Sequence, residues 1–140
     1  MNHEETLKVA KDTYNQAYGL VIEGDASVAE LGLELAQTSL NAWRQVGTAM
    51  NEAIGLWMLS RAQQKVGDEN SAIESASQAL KIGEELKIDW MIASALEALT
   101  RASAGLQNYD ALHARAVSAI DAIDDQADRE LIASQFADLR

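Results

Sequence analysis

The stretch from Leu56 to Leu80, LWMLSRAQQKVGDENSAIESASQAL, recurs forty residues later as LEALTRASAGLQNYDALHARAVSAI. Identical or similar residues occupy the aligned pairs Leu56/Leu96, Leu59/Leu99, Ser60/Thr100, Arg61/Arg101, Ala62/Ala102, Val66/Leu106, Asp68/Asn108, Ala76/Ala116, Ala79/Ala119 and Leu80/Ile120. A fixed period of this length is typical of units that cannot bury their apolar face alone and therefore stack on their neighbours. The repeat predicts a stacked architecture.

Outward from this repeat, apolar and small residues recur at alternating spacings of three and four, which predicts amphipathic helices along the whole chain. The 140 residues include no proline, so no helix is interrupted by that residue. We expect one all-α domain over residues 1–140 with about seven helices. Three antiparallel hairpins are predicted over residues 4–43, 47–86 and 89–123, followed by a capping helix over 126–139.

Two details of these helices are predicted from single residues. Gly67 is expected to end the third helix in a left-handed backbone conformation, which glycine adopts without strain. Leu106 is expected on the buried face of the fifth helix, because it aligns with Val66 of the third. The last helix repeats only the front half of a unit, and its polar composition is typical of a terminal cap.

The charge balance excludes several classes of partner. With 22 acidic and 11 basic residues, the formal net charge is −11, which argues against binding to nucleic acid or to an anionic membrane surface. No apolar run approaches the roughly 18 residues of a membrane span, and the first ten residues lack a secretory pattern, so we expect a cytoplasmic protein. The absence of cysteine excludes disulfides and thiolate metal sites.

The pair Gly67-Asp68, followed by Ala72, Ala76, Ala79 and Leu80, resembles the tetratricopeptide repeat. The resemblance implies a right-handed superhelix in which Leu56 and Leu59 take the large apolar positions and Ser60 the small one. The period of forty, rather than the usual length of about thirty-four, is similar to the longer variety found in kinesin light chain and in some bacterial transcription regulators. The third unit departs from the pattern, because Gln107 stands where the turn glycine is expected.

The same resemblance implies a concave surface that binds a peptide or helix of another protein. The positions that it places on this surface are Ile54, Trp57, Arg61, Gln64 and Lys65 in the second unit, and Ser94, Glu97, Arg101 and Ala104 in the third. Among them, we single out Trp57, Arg61, Lys65, Glu97 and Arg101 as the candidate partner-binding residues.

The two arginines have two interpretations. Side by side, Arg61 and Arg101 would favour a carboxylate or phosphate of a partner, since guanidinium binds such groups through two parallel hydrogen bonds. Alternatively, Arg61 reaches Glu97 on the neighbouring helix and lies over Trp57, which would be a structural role. Trp57 either contributes to binding or packs between helices, and Trp43 and Trp90 are expected at the junctions between repeats.

No pattern for catalysis or metal binding is present. The chain has no glycine-rich phosphate loop, no HExxH and no GxSxG motif. His113 has no second ligand at metal spacing, and the cluster Asp121, Asp124, Asp125 and Asp128 lacks the glycine and spacing of a calcium loop and suits helix capping.

We therefore expect a non-enzymatic interaction module without a cofactor, a metal or catalytic residues. Two alternatives stay open. One is a self-associating structural protein, with a possible homodimer. The other is a small-ligand-binding or enzymatic helical domain with a pocket inside the superhelix.

Overall fold

Seven α-helices make up the chain in a computed structural model that describes residues 1–140. The helices are α1 (His3–Tyr18), α2 (Ala29–Val46), α3 (Ala49–Lys65), α4 (Glu69–Leu86), α5 (Asp89–Ala102), α6 (Tyr109–Asp121) and α7 (Gln126–Phe136). A π-helical turn, Gly19–Glu23, continues α1, and short 3-10 turns precede α2 and follow α7. The predicted all-α class and the number of helices are confirmed. No helix combines the length and the apolar composition that are needed to span a membrane.

The helices pack in the order that a stack of hairpins requires. Each helix contacts the next one along the chain, and a second series of contacts joins α1 to α3, α3 to α5 and α5 to α7. The odd-numbered helices therefore lie side by side in one layer, and the even-numbered helices flank that layer. This arrangement fits the predicted repeat, while the handedness of its coiling stays a prediction.

Several buried residues forty positions apart occupy equivalent environments. Leu56 and Leu96 are both 2% exposed, and Ser60 and Thr100 are both fully buried. Small residues allow the paired helices to approach closely at their crossing. At the crossing of α3 and α4, the buried hydroxyl of Ser60 donates a hydrogen bond of 2.8 Å to the carbonyl of Ala72. The repeat in the sequence therefore corresponds to a repeat in how these side chains are buried.

The end of α3 has the geometry that was predicted from Gly67. This glycine has a φ of 85°. Its N–H donates to the carbonyl of Gln64 at 3.0 Å, and the N–H of Asp68 donates to the carbonyl of Gln63 at 2.9 Å. This pair of bonds is the Schellman motif, which satisfies carbonyls that a helix C-terminus would otherwise leave free.

One expectation about a single residue, the burial of Leu106, is wrong. Helix α5 ends at Ala102 because Gly105, with a φ of 81°, takes the left-handed turn two residues before Gln107. Leu106 then lies in the turn and is 51% exposed. Trp43 packs against Ala10 of α1, and its ring also lies beside Gly47 in the turn between α2 and α3. The partly buried Trp90, in the first turn of α5, lines a pocket, and its role at the junction between repeats stays a prediction.

Candidate functional site

Four of the five candidate binding residues meet around one buried carboxylate, that of Glu97 on α5. Glu97 is 0% exposed. The indole Nε1–H of Trp57 donates to its Oε1 at 2.9 Å, and Nη1 of Arg61 donates to the two oxygens at 3.2 and 3.3 Å. Nε of Arg101 donates to Oε2 at 2.8 Å. The carboxylate therefore joins α3 to α5.

Arg101 extends this network to the C-terminal end of the chain. Its Nη1 and Nη2 donate to the two oxygens of Asp138 at 2.5 and 2.8 Å. Nη2 also donates to the backbone carbonyl of Gln135 at 3.0 Å. We call Trp57, Arg61, Glu97, Arg101 and Asp138 the Glu97 network. It connects three elements that are far apart in sequence.

The charges within the Glu97 network balance one another. Burial lowers the pKa of Arg61, and the Glu97 carboxylate opposes that effect. Burial also disfavours the charge of Arg101, but its hydrogen bonds and attraction to Asp138 and Glu97 outweigh burial and raise its pKa. The hydrogen bonds from Arg101 lower the pKa of Asp138. Two guanidinium groups thus face two carboxylates.

Arg61 makes the contacts that the structural interpretation of the arginines predicts. Its guanidinium carbon lies 5.6 Å from the centre of the Trp57 ring, while its Nη1 bonds to Glu97. The alternative, in which both arginines hold an anionic group of a partner, stays a prediction. Trp57 packs between neighbouring helices and is buried.

Lys65, the fifth candidate, lies apart from the Glu97 carboxylate. Its Nζ donates to the carbonyl of Val21 at 3.0 Å and to the carbonyl of Gly24. These bonds attach the end of α3 to the turn that follows α1. Lys65 borders a shallow cleft of about 330 Å³ together with Arg61 and Arg101, and Glu69 also lines this cleft.

A second feature of the odd-numbered layer is a pocket of about 240 Å³, which we call the apolar pocket. It is lined by Tyr14 of α1, Ile54 and Trp57 of α3, Trp90, Met91 and Ser94 of α5, and Asp128, Leu131, Ile132 and Gln135 of α7. Leu131 is 54% exposed, so the pocket includes accessible apolar surface. All four odd-numbered helices contribute to it.

Sequence reasoning identified part of this pocket. Ile54, Trp57 and Ser94 are positions that the resemblance placed on the concave surface, and the structure places them in the pocket lining. Tyr14, Trp90 and Leu131 were missed. A signal was present for Tyr14, because Tyr14, Ile54 and Ser94 stand at steps of forty residues. Burial raises the pKa of Tyr14, with a smaller contribution from Tyr18.

His113 and Asp125, which were considered from the sequence, make structural contacts. Nε2 of His113 lies 2.7 Å from the carbonyl oxygen of Leu139, and the His113 ring packs against that of Phe136 at a tilt of 48°. The side chain of Asp125 accepts a hydrogen bond from the N–H of Asp128 at 2.9 Å and caps α7. No group of three or more His, Asp or Glu side chains is placed to hold a metal ion.

Comparison of the chain with protein-family models, with curated proteins and with solved structures finds no match in any of the three. The geometry of the site is that of a charge-balanced polar network beside an open apolar pocket.

Proposed function

We propose that this protein is a non-enzymatic interaction module that binds a peptide or helix of a partner protein along the layer of odd-numbered helices. The observation that carries the proposal is the apolar pocket, which draws its lining from α1, α3, α5 and α7 together. A helix-in-groove partner needs a continuous apolar surface of this kind, formed by several elements of its receptor.

The composition of the pocket supports a binding role. Tyr14, Trp57 and Trp90 supply aromatic walls, and aromatic side chains contribute strongly to binding energy at interfaces. Leu131 leaves an apolar side chain half in solvent, at a place where it adjoins other apolar groups. A partner side chain that covers Leu131 would remove this apolar surface from water, which favours binding.

The Glu97 network would serve this function by keeping the pocket in one shape. It fixes the Trp57 indole through a hydrogen bond, and it holds α3, α5 and the C-terminal turn together. A surface that is already in its binding conformation pays less ordering entropy when a partner binds.

We also propose that the chain is a tetratricopeptide-repeat-like protein of the long-repeat variety, coiled as a right-handed superhelix. Support comes from the left-handed turn at Gly67 and from the buried alanines Ala72, Ala76 and Ala79 of α4. The contacts between successive odd-numbered helices fit such a stack.

A charge placed in the pocket tests the proposed function. Leu131→Glu puts a carboxylate into the apolar lining, whereas Leu106→Glu puts one at an equally exposed leucine outside the pocket. We expect proteins that are captured by the wild type and by Leu106→Glu to be lost with Leu131→Glu. Circular dichroism verifies that both variants are folded. Capture of the same proteins by Leu131→Glu would contradict the proposed function.

Self-association remains the alternative from a different class. It predicts a mass above that of one chain, increasing with concentration, in light scattering. A clean monomer at high concentration would remove it.

A further inference from the structure

We infer that the partner segment is basic: it places one large apolar side chain in the apolar pocket and a lysine or arginine, about one helical turn away, beside Asp128. This inference rests on the proposed function and specifies the chemistry of the partner at the same site.

The size of the pocket points to a single side chain rather than to a small-molecule ligand. Its volume of about 240 Å³ is below the roughly 300–1,000 Å³ of typical small-molecule sites. Most of its lining is apolar, and Leu131 leaves part of that lining accessible. A leucine, phenylalanine or tryptophan from another chain fits such a place, since these side chains gain most from leaving water.

Asp128 is the only charged residue in the pocket lining. Its side chain is half-buried, and none of the salt bridges of the chain includes it. Its carboxylate also accepts no hydrogen bond. In the cap of α7, Asp128 takes part only through its backbone N–H. A half-buried carboxylate without a partner favours a cation that comes from outside the chain.

Two cations that adjoin the pocket lining, Arg129 beside Asp128 in sequence and Arg101 bonded to the carbonyl of Gln135, are engaged elsewhere. Arg129, the next residue, donates through Nη1 to the carbonyl of Ile123 at 2.7 Å. Arg101 is held by Glu97 and Asp138 in the Glu97 network. No basic residue lines the apolar pocket itself. The cation beside Asp128 is therefore one that the partner supplies.

The net charge of the whole chain also favours a basic partner. A net charge of −11 attracts a basic segment over a distance and repels a second copy of the same chain. Complementary charge mainly raises the association rate and selects among partners, while the apolar side chain contributes affinity. A basic amphipathic segment of another protein thus fits the surface better than a homodimer does.

The test selects peptides from a random library displayed on phage, with the full-length protein as bait. Enriched peptides are synthesised, and their dissociation constants are measured by fluorescence anisotropy. We expect enriched sequences to combine a large apolar residue with Lys or Arg about one helical turn away. Asp128→Asn should weaken their binding about threefold to fivefold. Glu130→Gln, an equal charge change on the same helix outside the lining, should leave it unchanged.

The pairing itself is tested by a double-mutant cycle. Replacing the lysine of an enriched peptide with glutamine should remove the difference between wild type and Asp128→Asn. Enriched peptides that lose affinity with Leu131→Glu but are not basic would show that the inference is wrong while the proposed function stands. The same conclusion follows if Asp128→Asn and Glu130→Gln change the dissociation constants equally. If no peptide is enriched, or if Leu131→Glu leaves binding intact, the proposed function itself is overturned.

Discussion

At the scale of single residues, the repeat brings equivalent positions into contact. Trp57 and Glu97 are forty residues apart, and the indole of one donates to the carboxylate of the other. Arg61 and Arg101 are also equivalent, and both bind the same carboxylate. A buried charge is tolerated only when it is paired and hydrogen-bonded. Glu97 meets this requirement through three different side chains.

Glu97→Ala should lower the free energy of unfolding by about 3–5 kcal/mol, because it leaves the largely buried Arg61 without a counter-charge. Glu97→Gln should cost less, since its amide oxygen can still accept a hydrogen bond from Trp57. Urea denaturation followed by circular dichroism measures both changes.

The matched control is Glu84→Ala, at an exposed position on α4, for which we expect a change within about 0.5 kcal/mol. A Glu97→Ala variant as stable as this control would show that the Glu97 network contributes little to the fold.

At the scale of elements, the turns between paired helices set where each unit ends. Gly67 ends α3 with a left-handed residue, and Lys87, with a φ of 56°, ends α4 in the same conformation. In the third unit, Gly105 takes this role earlier in the chain, so α5 has 14 residues whereas α3 has 17. The two best repeats thus share their buried face but differ in their turns.

Gly67→Ala should destabilise the protein by about 1–2 kcal/mol, because a Cβ is strained in the left-handed region. Gly19→Ala provides a control with the opposite sign. Gly19 has a φ of −60°, and an added Cβ would meet nothing within 4 Å. We expect it to stabilise the fold by about 0.4–1 kcal/mol, since alanine loses less conformational entropy on folding than glycine does. Thermal and urea denaturation measure the stability of both variants. Equal changes in stability for the two substitutions would contradict a left-handed requirement at Gly67.

At the scale of the whole molecule, α7 packs on the last hairpin of the stack. Ile132 and Phe136 are buried, and α7 contacts both α5 and α6. The C-terminal turn also supplies Asp138 to Arg101. Repeat stacks need such a terminal element, because the last unit otherwise leaves its apolar face in water. Residues 126–139 form a helix at this position, and their role as a cap stays a prediction.

Deletion of residues 126–140 should therefore remove most of the stability of the domain. Burial of Ile132 and Phe136 contributes on the order of 1.5–3 kcal/mol for each side chain, against a total of about 5–15 kcal/mol for a typical domain. We expect the shortened chain to melt at a clearly lower temperature or to lack a cooperative transition, as measured by circular dichroism.

Phe136→Ala in the full-length chain separates loss of packing from loss of length, and it should cost about 3–5 kcal/mol by itself. A shortened chain that melts no earlier than the intact protein would show that α7 is not a cap.

The all-helical class, the approximate bounds of the hairpins, the turn at Gly67 and the equivalence of Leu56 with Leu96 were all predictable from the sequence by itself. These features depend on local periodicity and on backbone preferences, which neighbouring residues determine. Only the tertiary structure shows that Leu106 is exposed, that Asp138 joins Arg101, and that Tyr14 and Leu131, from opposite ends of the chain, line one pocket. Such contacts depend on how helices are rotated and offset against one another, and that geometry results from packing across the whole stack.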